Sequence, residues 1–329
     1  MLYIITEKQF YPLYILQILR TRSDIRVISY RRTKLKGLKH VAWNILRSIH
    51  ATVFNNNYYL SKIIYQRDIL RQLSQIKPED HVLFFAMRNY KDIIALNAAL
   101  KTKNKSIFFW DSMLALRHHD SSAQKFVKGL KKLGFHITTF DEADARKYNL
   151  SAVNEVYRKV PEYFNIDNIP AASLKNDIFL AATDKSRCEI LTQVITDFVN
   201  QDIKCDITLI SDKSTGKIPD ELQPFYKRKF LKYAIYIKRA LSARAFLEIL
   251  QPGQSGMTIR TLEALFLNRK LITNNNNART LDIYHPNNIY VLDGKEKRTV
   301  REFLDAPMYP INDNLMKRYD IEYWIEQFK

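Results

Sequence analysis

At 329 residues the chain is long enough for two domains of ordinary size, and its 46% hydrophobic and 26% charged content is that of a folded chain rather than a disordered one. No run is apolar enough to span a bilayer, and two cysteines, Cys188 and Cys205, show neither metal-ligand spacing nor a disulfide framework, so both are expected to be reduced and structural. A formal charge of +18 points to an anionic partner: nucleic acid, an acidic membrane face or phosphorylated small molecules.

The opening MLYIITEKQF reads as a first β-strand rather than a signal peptide, so a cytoplasmic location is expected. A helical stretch over 11–20 and the strand DIRVISY follow, then helical patterns at 38–49 and 60–76 and the strand HVLFFA. Next come a helix over 92–101, the strand SIFFWD, a helix over 123–133 and the strand FHITTFD. This is a Rossmann-like layout without GxGxxG, which argues against a dinucleotide cofactor. Prolines and polar residues then interrupt the periodicity, and a second α/β unit begins with DIFLAAT, a helix over 188–200 and CDITLIS. The predicted organisation is an α/β protein with a first Rossmann-like domain over 1–160, a linker over 161–176 and a second Rossmann-like domain over 177–310. An amphipathic terminal helix over 311–329, with Trp324 and Phe328 on its apolar side, returns toward the first domain. Two such domains face a cleft, with ligands at the carboxyl ends of the strands.

Cations cluster at 31–39, 125–132 and 227–244. The first and third clusters mix them with Leu, Tyr, Ile and Phe, as a surface lying on anionic headgroups would, although a charge run is also simply a solvated face. No zinc-finger spacing, RNP-like strand or helix-turn-helix supports sequence-specific nucleic-acid binding.

The richest segment is QPGQSGMTIRTLEALFLNRKLITNNN, residues 251–276, which places Gly253 and Gly256 before an amphipathic helix. Ser255 reads as the N-cap of a helix beginning near Met257, whose free amides favour an anion such as a pyrophosphate. Glu263 follows two turns later, suited either to the hydroxyls of a ribose or to pairing with Arg260. After the first strand of the second unit, Thr183-Asp184-Lys185-Ser186-Arg187 brings Lys185 and Arg187 to the same edge, as phosphate ligands or as a polar turn. Asn274 and Asn275 end another strand there and can read a sugar or base, or simply turn the chain.

The stretch Glu-Ile-Leu-Gln-Pro-Gly-Gln-Ser-Gly-Met-Thr at 248–258, with Arg260-Thr-Leu-Glu-Ala-Leu and Lys270-Leu-Ile-Thr-Asn after it, resembles bacterial glycosyltransferases of the GT-B type. It is most similar to a branch found in capsule, exopolysaccharide and lipopolysaccharide gene sets. Tyr284-His285-Pro286-Asn287-Asn288-Ile289, the terminal 319–324, Phe109-Trp110-Asp111 and the 140–148 segment extend the resemblance over most of the chain. The resemblance implies a nucleotide-sugar donor held by the second domain, a glycan or lipid-linked glycan acceptor held by the first, and transfer in the cleft; the basic clusters add an expected peripheral contact with the anionic inner membrane. It also assigns Glu263 to the donor ribose. The chain departs from the commonest family pattern, E-G-F-G-x-x-x-x-E, in Gln254-Ser255-Gly256 and in a longer interval before Glu263.

For such a reaction the expected donor set is Thr183, Lys185, Arg187, Gly253, Gln254, Ser255, Gly256, Met257, Thr258, Glu263, Asn274, Asn275 and His285, with His285 organising a turn or touching the donor. The resemblance implies no metal or other cofactor, and the chain contains no Asp-x-Asp of the kind that holds a divalent cation on a diphosphate. The amides at 255–258 with Lys185 and Arg187 suit the leaving group. Asp111 is the leading candidate for the base, with Asp141, His118, His119 and Asp120 as rivals. The alternative from another class is a basic, non-catalytic α/β protein that binds nucleic acid or scaffolds a polysaccharide-assembly complex.

Overall fold

The computed structural model describes residues 1–31, 67–117, 119–159, 174–212, 215–251, 254 and 256–329. The helical pattern at 38–49, the 60–66 part of the next one and nearly all of the first basic cluster fall outside the described residues. The chain divides into two compact units: Met1–Asn154 with Ile321–Lys329, and Glu155–Asp320.

In the first unit, six parallel strands stand in the order β2-β1-β3-β4-β5-β6: β1 Leu2–Glu7, β2 Ile25–Tyr30, β3 His81–Phe85, β4 Lys105–Phe109, β5 His136–Thr139 and β6 Ser151–Ala152. The helices are α1 Phe10–Ile15, α2 Arg67–Ser74, α3 Tyr90–Asn97, α4 Met113–Arg117, α5 Asp120–Lys132 and α6 Glu142–Tyr148. The strands are nearly continuous apolar runs because both faces of a parallel sheet are covered. Phe84, Phe85, Phe108 and Phe109 are all essentially inaccessible, two on each of the central strands. Asn89 and Asp141 start α3 and α6 by accepting two backbone amides each, which is what a residue at the end of a strand must do to open the next helix.

The second unit repeats the plan with five parallel strands in the order β11-β10-β9-β7-β8: β7 Asn176–Thr183, β8 Cys205–Ile210, β9 Ala243–Glu248, β10 Lys270–Thr273 and β11 Ile289–Val291. Its helices are α7 Cys188–Asn200, α8 Tyr233–Leu241, α9 Ile259–Phe266, α10 Val300–Asp305 and α11 Asp313–Lys317. Strand β7 leads outward to β8 on one side, whereas β9 leads to β10 on the other. The chain therefore reverses direction between β7 and β9, and the loops leaving those two strands diverge. With only seven glycines in the chain, several helix exits use Asn or Asp in the left-handed region instead: Asn149, Asp202 and Asn268.

The predicted terminal helix is broken. Between α11 and α12, Ile321–Trp324, the backbone turns so that Tyr319 O accepts from Tyr157 N at 2.9 Å and an Asp320 carboxylate oxygen accepts from Lys159 N at 3.2 Å. A 3₁₀ turn, Ile325–Phe328, completes the chain. As expected, Trp324 and Phe328 are buried, and this end packs on the first unit. The Trp324 ring lies 4.8 Å from Phe108, 6.1 Å from Phe85 and 4.8 Å from Phe328, and its indole N–H donates to Asn154 O at 2.8 Å.

Candidate functional site

A hollow of about 410 Å³ opens in the second unit where β7 and β9 diverge. Ser186, Arg187 and Ile190 line it from the β7 loop, Leu250, Gln251 and Gln254 from the β9 loop, and Asn274 to Asn277 from the β10 loop. A second hollow of about 640 Å³ shares Ile190, Asn274 and Asn276 and adds Arg279, Leu292, Asp293 and Lys295 beyond β11. Both lie at the carboxyl edge of the sheet, the edge at which sheets of this kind take ligands.

The β7 turn is built around a buried acid. Asp184 is fully inaccessible; its carboxylate accepts from Arg187 N at 2.8 Å and from the Tyr226 hydroxyl at 2.8 Å. Lys185 and Ser186 between them both adopt left-handed backbone, with φ of 50° and 62°. Two consecutive non-glycine residues in that region are held at a cost, which is tolerated where the surroundings over-determine the turn.

That turn aims Arg187 into the hollow. Its guanidinium donates to the carbonyls of Asp184, at 2.8 Å, and of Thr183 and Ile249, so it staples the end of β7 to the residue beyond β9. All three acceptors are neutral, and no described carboxylate lies within ion-pair distance of it. Burial, reinforced by the nearby Arg260 charge, pushes its pKa down to about 10. No carboxylate touches this half-buried cation, although Asp184, Glu248 and Asp212 act on it from farther off, and an anionic ligand in the hollow would complete its pairing.

The amides around it are donor-rich. Asn274 spends its carbonyl on Leu250 N at 2.7 Å, and Gln254 spends its carbonyl on Gln251 N at 3.1 Å, so both NH₂ groups are unspent. Asn275, 2% exposed, is consumed on both ends by Gly256 O and Asn277 N. It braces the loop where it lines the hollow.

Several expected site residues take other work. Helix α9 begins at Ile259, not near Met257, and its cap is Thr258, whose hydroxyl accepts from Arg260 N at 3.1 Å; the sequence of small polar residues at 255–258 offered more than one cap. Met257 is buried, 8% exposed, and does not line the hollow. Glu263 is wholly inaccessible: the Tyr157 hydroxyl donates to it at 3.2 Å, Tyr236 donates to its other oxygen, and Arg260 stands 4.0 Å away. Its carboxylate faces a polar knot inside the unit, so the second of the two readings, pairing with Arg260, is the one the structure contains. His285 precedes β11 and therefore lies at the amino edge of the sheet, opposite the hollow; it stacks on Tyr309 at 3.9 Å and accepts from Asn287 N, organising its turn. Thr183 contributes its carbonyl to Arg187, and Lys185 flanks the hollow without lining it. Gly253 and Ser255 lie outside the described residues.

One residue gained a role that spacing did not reveal. Glu248, at the end of β9 and 4% exposed, accepts from the hydroxyls of Thr258, Thr261 and Thr273, at 2.9 Å and 2.5 Å for the last two. Three threonines within reach of one strand-end acid were the available signal. This clamp ties the end of β9, the start of α9 and the end of β10 into one rim.

In the first unit the candidate acids separate. Asp141, 2% exposed, spends one oxygen on Ala143 N and Asp144 N as the cap of α6. Asp120 accepts from Lys147 at 2.6 Å and the Tyr148 hydroxyl at 2.8 Å along the exposed side of α5. Asp111, just beyond β4, pairs with Arg88 from beyond β3 at 2.5 Å and keeps 16% of its side chain exposed. His119 is exposed before α5 and its side chain makes no capping bond; His118 lies outside the described residues. Among the described residues, no group of three His, Cys, Asp or Glu side chains is arranged to hold a metal ion, and no helix is long and apolar enough to cross a membrane.

No protein-family model and no curated sequence matches the chain. Solved structures do. Anabaena HepE, determined in complex with UDP-glucose, superposes with a TM-score of 0.56 at 11% identity, covering 99% of this chain and 98% of its own. The α,α-trehalose-phosphate synthase (UDP-forming) of Burkholderia vietnamiensis gives 0.52 at 9% identity over 99% and 95% of the two chains. The same enzyme from Burkholderia xenovorans, determined with glucose-6-phosphate, gives 0.50 at 11% over 100% and 96%. At such identities the likeness is one of fold: two Rossmann-like domains of the GT-B type.

Proposed function

We propose that this protein is a glycosyltransferase that moves a sugar from a nucleotide-sugar donor to a growing cell-surface glycan, such as a lipopolysaccharide, capsule or exopolysaccharide chain. The observation that carries the reading is Arg187: a half-buried guanidinium, held by carbonyls rather than by a carboxylate, facing a hollow at the point where β7 and β9 diverge. The donor diphosphate would take that charge, and the unspent NH₂ groups of Asn274 and Gln254 would donate to phosphate or sugar oxygens. Arg187 would then stabilise the charge that grows on the diphosphate as it leaves, without a metal being required.

The neighbours support the donor class, since one was solved with UDP-glucose and another is described as UDP-forming. In the first unit, Asp111 is the acid best placed to take the acceptor proton, because Asp141 is tied up as a helix cap. The acceptor would be a glycan or lipid-linked glycan, with the protein at the anionic cytoplasmic face of the inner membrane. A hollow of this size around a single half-buried guanidinium suits a small phosphorylated ligand better than a polynucleotide backbone, so the nucleic-acid alternative is not favoured.

The test is a thermal-shift panel of UDP, GDP and CMP and their sugar conjugates. At least one nucleotude class should raise the melting temperature, and its sugar conjugate should be consumed when membrane glycan is added. A full panel without a shift, or binding only to DNA and RNA in a salt-sensitive way, would sink the proposal.

A further inference from the structure

The basic segment at 227–244 contains seven cations and no acid. Two of the seven turn inward: Arg239 pairs with Asp206, and Arg244 with Asp177 and Asp305. The other five, Lys227, Arg228, Lys229, Lys232 and Lys238, are exposed and form no ion pair with a described carboxylate. Among them stand two large apolar side chains facing water, Phe230 at 69% exposure and Ile235 at 49%. Exposed apolar residues interspersed along the chain with exposed cations mark a segment suited to meet something both anionic and apolar.

The segment is fixed at both ends. At its start Lys227 N donates to Leu209 O at 2.8 Å and the Tyr226 hydroxyl donates to Asp184. At its end α8 is anchored by Tyr236 and Ile237, 7% and 0% exposed. Phe230 is therefore presented outward by a tethered loop, not left over from a loosely packed one. The second exposed apolar side chain, Ile235, argues against a nucleic-acid platform, because it has no aromatic face on which a base can stack. Both side chains partition into acyl chains, and the surrounding cations match lipid phosphates.

We infer that residues 227–238 dock the protein on an anionic phospholipid bilayer, with Phe230 entering the acyl boundary. This deepens the membrane-contact part of the proposed function and rests on it. It is separate from donor binding, which uses other residues.

The experiment is co-sedimentation of the full chain with two kinds of vesicle, phosphatidylcholine alone and phosphatidylcholine containing about one-third phosphatidylglycerol. The chain should partition onto the anionic vesicles only, and less so as salt is raised. Arg228→Ser with Lys229→Ser and Lys232→Ser should lower the partition coefficient by about 100-fold, at roughly fivefold per charge. Phe230→Ser should lower it by about tenfold and Phe230→Leu should restore most of it. Near-ultraviolet circular dichroism should be the same for all variants. If the native chain ignores both vesicles, membrane contact is overturned while donor binding stands. If it binds and the variants bind equally, this surface is the wrong one. If the variants lose binding only to heparin or DNA and no vesicle is bound, the partner is a polyanion and the inference fails.

Discussion

The carboxyl edges of the two sheets share a topology and differ in what their loops do with charge. In the first unit the acids beyond the strands are occupied: Asp141 caps α6, Asp144 accepts from Met113 N at 2.6 Å, and Asp111 is paired with Arg88. In the second, carboxylates are withdrawn into the fold at Glu248, Asp184 and Glu263, and a guanidinium is left facing a hollow. The same sheet architecture thus yields an edge whose acids are mostly structural and an edge that presents a cation to a hollow. Loop chemistry, not strand order, separates them.

The largest effect should come from the buried knot of the second unit. Glu263→Ala removes the carboxylate that accepts from the Tyr157 and Tyr236 hydroxyls and stands beside Arg260, and should cost about 3–5 kcal/mol in denaturant unfolding. An unchanged midpoint would mean that Glu263 is available to a ligand after all. In the first unit the contrast is between two aspartates. Asp111→Asn should lower transfer by about 10²–10⁴-fold while leaving nucleotide binding intact, whereas Asp141→Asn, which still caps, should leave both nearly unchanged. The reverse pattern would exchange their roles. A smaller loss, about 1 kcal/mol, is expected from Asp141→Ala, read from the thermal transition, because only the cap is removed.

The smallest effect is a pH slope in the second unit. Lys270 is buried, donating to Phe303 O, Leu304 O and Ala306 O, and burial pushes its pKa down to about 8, with Arg244 and Arg298 acting in the same direction. Between about 8 and the ordinary lysine value of 10.5 the unfolded chain holds the proton that the folded one has released. Stability from this residue therefore rises with pH across that window and is lost as pH falls to its lower end. Lys270→Met should flatten the slope; a slope identical to that of the native protein would contradict the assignment.

Much of this frame was legible in the residues. Runs such as LYIIT, HVLFF and DIFLAAT could be nothing but strands buried on both faces, and Trp324 with Phe328 announced an apolar terminal face. The break at 318–320 was not legible, because it depends on hydrogen bonds to Tyr157 and Lys159, far away in sequence. The fate of Glu263 was hidden for the same reason: helical spacing places it on a face but cannot say that two tyrosines, 27 and 106 residues away, close over it. Arg187 was visible as a cation near the edge. Its engagement by three carbonyls rather than by a carboxylate needed the fold.

The central claim, that Arg187 at the second sheet's edge holds the anionic part of a nucleotide, is tested most directly by calorimetric titration of the nucleotide panel into the native protein and Arg187→Met. The account predicts saturable binding of at least one nucleoside diphosphate, weakened by about tenfold or more in the variant, since a charge-assisted contact of about 1.5–3 kcal/mol is removed. Equal affinity in the two proteins, or no binding by either, would contradict it.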